Sequence, residues 1–136
     1  MSPYAMAVIA AVGIVIVILG ISLWQRRQPR QLNTAYFQGQ WQSIQALCGD
    51  SSTWPLAVIN ADKLLDEALK RRHFKGKTMG ERLVSAQHTL NNNETVWFGH
   101  KLRNKLVHEE AGRLKKETVL NALAGFRQAL KDLGAL

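Results

Sequence analysis

Trp54-Pro55-Leu56-Ala57-Val58-Ile59-Asn60-Ala61-Asp62-Lys63-Leu64-Leu65-Asp66-Glu67-Ala68-Leu69-Lys70-Arg71-Arg72 decides the fold class. Its apolar residues fall at 56, 58, 59, 61, 64, 65, 68 and 69, the three-and-four spacing of one face of an α-helix. Ser51, Ser52 or Thr53 offers a capping oxygen before it, and Pro55 suits a first turn, where its missing N–H has no intrahelical partner to lose. Gly76 lies just beyond its end.

The same period extends in both directions. Upstream, Leu32, Tyr36, Phe37, Ile44 and Leu47 mark a helix weakened by Gly39 and closed by Gly49. Downstream, Thr78 and Glu81 form a capping box for a helix carrying Leu83, Val84, Ala86 and Leu90 before the turn Asn91-Asn92-Asn93. Asn93 caps a fourth helix. After Gly112 a last one starts near Leu114, burying Val119, Leu120, Leu123, Phe126 and Leu130, with Gly134 at its C-terminal cap. No segment alternates with period two for long enough to demand a strand. Residues 32–136 are therefore expected to be an all-α bundle of four or five helices in up-and-down order, with enough chain for one modest core.

From Tyr4 to Trp24 no residue is charged, and at about 1.5 Å per helical residue the run covers roughly the 30 Å of a bilayer's hydrocarbon core. Residues 1–24 are expected to be a single transmembrane anchor. No basic residue precedes the run and no small-x-small site follows Trp24, which argues against a cleaved signal peptide. Residues 25–31 read as a basic juxtamembrane connector broken by Pro29. Arg26, Arg27 and Arg30 put that side in the cytoplasm by the positive-inside rule, making the protein a single-pass inner-membrane protein with its C-terminal domain cytoplasmic. A lone cysteine, Cys48, forms no internal disulfide, in keeping with a reducing compartment.

The chemistry-bearing stretch is Arg103-Asn104-Lys105-Leu106-Val107-His108, within the run Val96-Trp97-Phe98-Gly99-His100-Lys101-Leu102 that continues to Glu109-Glu110. An Arg, a polar neighbour and a His on one helix can cleave RNA without a metal. In a helical domain of this length the hexapeptide resembles the HEPN superfamily, whose nuclease members carry an Arg, four to six residues, then a His, usually with Asn, Asp or His directly after the Arg. Arg103, Asn104 and His108 match that pattern, and the resemblance covers roughly Trp54 to Leu133. Trp54-Pro55-Leu56-Ala57-Val58-Ile59 and Lys77-Thr78-Met79-Gly80-Glu81-Arg82-Leu83 also resemble a recurring family of small membrane-anchored bacterial proteins, and this second resemblance implies no particular activity.

The first resemblance implies a composite site built from the Arg and His of two copies across a two-fold axis, hence a homodimer. It also implies a metal-independent, cofactor-free cleavage in which an RNA 2′-hydroxyl attacks the adjacent phosphorus. His108 would be general base or acid, since imidazoles titrate near neutral pH. Arg103 would stabilise the phosphorane charge and Asn104 would orient the phosphate or His108. Helical spacing at ~100° per residue suggests Phe98, Leu102 and Leu106 as the core stripe of this helix, with Trp97, Asn104 and His108 within about 40° on the other side as the face a second copy covers. Arg103 stands about 100° from Asn104 and has to reach around the helix.

Net charge is the second clue: 18 basic residues stand against 10 acidic ones. Only Arg26, Arg27 and Arg30 of the basic set lie in the connector. Lys70, Arg71, Arg72, Lys75 and Lys77 crowd one helix end and loop, suited to RNA phosphates or to anionic lipid, with His100 as a further phosphate contact. His73, His88 and Cys48 have no ligand partners at metal spacing. The rival reading is a catalytically inactive interaction or adaptor module at the cytoplasmic membrane face. Arg103 and Lys105 are then solvated charges, and His108 caps a helix end beside Glu109 or Glu110. Neither reading names an antitoxin or other protein partner.

Overall fold

The computed structural model describes residues 1–27, 31–108 and 112–136. Among them are six α-helices and no strand: α1 (Pro3–Arg27), α2 (Thr34–Ala46), α3 (Trp54–Arg71), α4 (Met79–Ser85), α5 (Asn93–His108) and α6 (Lys116–Asp132). Two short 3₁₀ turns, Leu47–Gly49 and Ser51–Thr53, lie between α2 and α3. The chain divides into two units, Met1–Arg30 and Gln31–Leu136.

The first unit is α1, started by Ser2, whose hydroxyl accepts from the Ala5 N–H at 3.3 Å. Val8, Ile9, Ile14, Ile16, Ile18 and Leu23 are all exposed, so the helix is apolar all round. It is long and apolar enough to cross a membrane. It also continues to Arg27, so Gln25, Arg26 and Arg27, expected in the connector, extend the helix instead. Residues 28–30 of the expected connector lie outside the described residues.

The second unit is a five-helix bundle. α3 is its hub, packing against α2, α4, α5 and α6, while α5 and α6 make the most extensive helix pair. The core holds Phe37, Trp41 and Ile44 of α2, Val58, Leu65 and Leu69 of α3, Leu83, Val96, and Val119, Phe126 and Leu130 of α6. Asn33 caps α2 by accepting from the Tyr36 N–H. Thr53 does not cap α3 with its side chain; its hydroxyl donates to the carbonyls of Leu47 and Asp50, tying down the preceding turns. The expected capping box is present in altered form: Thr78 accepts from the Glu81 N–H, but Glu81 accepts from Lys77 rather than from Thr78.

Three expectations need correction. α4 ends at Ser85, not near Leu90: Gln87 and Thr89 donate to carbonyls three residues back, and Asn93 Nδ2 donates to the carbonyls of Gln87 and Leu90, closing the chain into a turn. Asn93 is thus the first residue of α5 and not its capping acceptor. Leu120, expected in the core, is half exposed.

Candidate functional site

α5 presents one valine, one glycine and one histidine to the interior. Its buried positions are Val96, Gly99 and His100, with Arg103 half buried along the same line. Phe98, expected in the core stripe, is exposed, while Leu102 and Leu106 are partly buried at the edge of the core. Two contacts set this orientation. Gly99 faces the Phe126 ring of α6 so closely that a Cβ there would come within 2.8 Å of it. On the α3 side, Asp62 is buried to 3 % exposure and needs partners. His100 Nδ1 lies 2.8 Å from Asp62 Oδ1, and Arg103 Nε lies 3.5 Å from Asp62 Oδ2. Turning Phe98 inward would strand that carboxylate.

Arg103 does reach around the helix. Its Nη1 donates to Asn104 Oδ1 at 2.9 Å, so the first two residues of the hexapeptide are joined side chain to side chain. Among the described residues its buried Nε has no hydrogen-bond partner, only the longer ionic contact to Asp62. His100, Arg103 and Asn104 line one open cleft of about 600 Å³. Asp62, Lys63 and Asp66 of α3 form a second wall, and Thr78 to Gly80 at the start of α4 form the third. Trp97 closes against α4 at Gly80 and meets the His100 ring edge to face, 5.8 Å between centroids at 76°. The partial cover of Trp97 expected from a second subunit is therefore supplied within the chain.

His108 is the last residue of α5, exposed, and does not line this cleft. Lys101 and Lys105 are exposed on the same helix.

The basic cluster is largely tied down. Lys70 pairs with Asp66 at 3.0 Å, and Arg71 pairs with Glu67 while its guanidinium lies 4.6 Å over the Tyr36 ring. Arg72 donates to the Leu133 carbonyl at 2.6 Å, joining the end of α3 to the end of α6. Lys75 and Lys77 have exposed side chains. Beside Lys70, Arg82 grips Asp66 through Nε and Nη2 and donates to the Gly76 carbonyl. Burial alone would push the Asp66 carboxyl up, but hydrogen bonds and charge from Arg82 and Lys70 outweigh it and hold Asp66 below its ordinary value.

Sequence reasoning missed Asp62. Its signal was available: an acidic residue between Ala61 and Leu65, on the apolar side of α3, has to find a buried donor. Among the described residues no three of His, Cys, Asp and Glu converge as a metal site requires. Comparison of the chain with protein-family models, with curated proteins and with solved structures finds no match.

Proposed function

We propose that this chain is a membrane-tethered, metal-independent endoribonuclease of HEPN type, working at the cytoplasmic face with a site shared by two copies. The observation that carries the reading is the clamp of Arg103 onto Asn104 at 2.9 Å, backed by buried Asp62, on an open cleft. A guanidinium held in this way keeps its remaining donors in a fixed plane, ready for the oxygens of a phosphodiester. The exposed outer side of α5 adds Lys101, Lys105 and His108. Two such faces meeting across a two-fold axis repel each other unless a polyanion lies between them, which suits RNA as the shared ligand.

In this scheme Arg103 and Asn104 hold the scissile phosphate, and His108 exchanges a proton with the reacting oxygens. The 2′-hydroxyl attacks phosphorus and the bond to the 5′-oxygen breaks, leaving a 2′,3′-cyclic phosphate and a 5′-hydroxyl. DNA, without the 2′-hydroxyl, resists. Arg26 and Arg27, at the end of α1, favour the cytoplasm for everything that follows.

The test is the full chain in detergent, incubated with labelled single-stranded RNA in chelator beside Arg103→Ala and His108→Ala. Cyclic-phosphate ends from the wild type and not from the variants are expected. Uncut RNA in every lane sinks the reading and favours the adaptor. For that second reading the relevant observation is Phe98 beside Leu120, both exposed on one open groove between α5 and α6.

A further inference from the structure

Cleavage through a 2′-hydroxyl moves two protons, one away from the attacking oxygen and one onto the departing one. The imidazole of the hexapeptide, His108, does not line the cleft on which Arg103 and Asn104 stand, whereas His100 does. We infer that His100, held by buried Asp62, is the general base of the proposed reaction and that His108 of the second copy is its general acid; this rests on the ribonuclease reading above.

The geometry is that of an oriented imidazole. An ionised carboxylate only accepts, so Asp62 at 2.8 Å fixes the proton of neutral His100 on Nδ1 and leaves the Nε2 lone pair as the basic site. The edge contact with Trp97 fixes the plane of the ring. Asp62 is itself nearly inaccessible, and the ring keeps only 8 % exposure, yet it lines the same cleft as Arg103 and Asn104. In this assignment a phosphate held by that pair lies in the cleft that His100 also lines. Among the described residues the other charged groups on the cleft are Lys63, Asp66 and Arg103, and the α4 wall contributes none. A buried histidine–aspartate pair is also poor filling for a core, since apolar residues of similar volume often serve stability as well or better.

The step balances as follows. Nε2 of His100 takes the 2′-hydroxyl proton, and the oxygen forms its bond to phosphorus as the bond to the 5′-oxygen breaks. That oxygen takes the proton of protonated His108. His100 leaves protonated and His108 neutral, and exchange with water restores both. No oxidant or metal enters.

The deciding variant is His100→Asn in the full chain in detergent. The asparagine amide nitrogen stands near the place of Nδ1 and can still donate to Asp62, but nothing replaces Nε2. Turnover at saturating RNA should fall by about 10²–10⁴-fold with unchanged melting temperature and RNA affinity. In His100→Ala, added imidazole should recover at least about ten-fold of the lost rate. A ribonucleoside 3′-(p-nitrophenyl phosphate), whose leaving group needs no acid, separates the two roles. His108→Ala should regain most of its rate on that substrate and His100→Asn should not.

A folded His100→Asn protein that cleaves RNA within about three-fold of wild type overturns the assignment and makes His100 a positioning residue. So does a rate restored to His100→Asn, and not to His108→Ala, by the activated substrate. Uncut RNA with the wild type overturns the ribonuclease reading, and this assignment with it.

Discussion

His73 ends α3 with φ at 60°, in the left-handed region that glycine adopts at least cost. The His73 N–H donates to Lys70 and that of Phe74 to Leu69, the paired bonds that satisfy the last carbonyls of a helix. α6 ends the same way, but with Gly134 at φ 78°. Replacing His73→Gly should therefore stabilise the bundle by about 1 kcal/mol, read as a higher urea midpoint at unchanged slope. A lower midpoint would mean that the histidine side chain has a partner of its own. Asp62 behaves oppositely. Asp62→Ala removes the carboxylate that both His100 and Arg103 face and should lower stability by about 3 kcal/mol, measured by the same titration. A loss below about 0.5 kcal/mol would show that His100 and Arg103 solvate without it. Asp62 was readable from the sequence only as a misfit on an apolar face; its partners were not, because they lie 38 and 41 positions along the chain.

Between elements, α5 and α6 approach through two glycines. A Cβ on Gly125 would stand 2.8 Å from the Thr95 carbonyl oxygen, and one on Gly99 would meet the Phe126 ring. Gly125→Ala gains about 1 kcal/mol of helix propensity, yet backbone cannot yield as a flexible side chain does. A net loss of about 2 kcal/mol is expected in chemical denaturation, and a gain would show that the helices separate without strain. α4 is fastened differently, through Arg82 on Asp66 of α3. Since the folded state holds the Asp66 carboxyl below its ordinary 3.8, this stabilisation is complete above that value and is lost as pH falls through the lower folded one. Asp66→Asn should cost about 2 kcal/mol at pH 7 and flatten the stability profile below about pH 4. A mutant profile parallel to wild type down to pH 2 would assign the acid limb to other carboxylates. The helices themselves were legible, because α2, α3 and α6 bury apolar residues at regular spacing. The inward face of α5 was not. Val96, Gly99 and His100 carry it, while Phe98 faces out because Asp62 and Phe126 fix the rotation of the helix.

At the scale of the molecule, the core residues among the described ones all belong to the unit Gln31–Leu136. Residues 31–136 alone should melt in one cooperative transition, within a few degrees of the full chain in detergent; loss of cooperativity on removal of α1 would show that the bundle needs it. Of the site, the sequence disclosed the hexapeptide and the basic loop but not their fates. Arg103 and Asn104 join a cleft; three of the five loop cations are spent on intramolecular partners. The close packing of Gly99 on Phe126 also bears on how this sequence can drift. Position 99 can gain a methyl group only after position 126 gives up its ring, and the reverse order leaves a void that an alanine then fills. Related chains should thus carry either a glycine facing an aromatic or a small residue facing an aliphatic one, with few combinations between, and His100 should stay in register through either exchange.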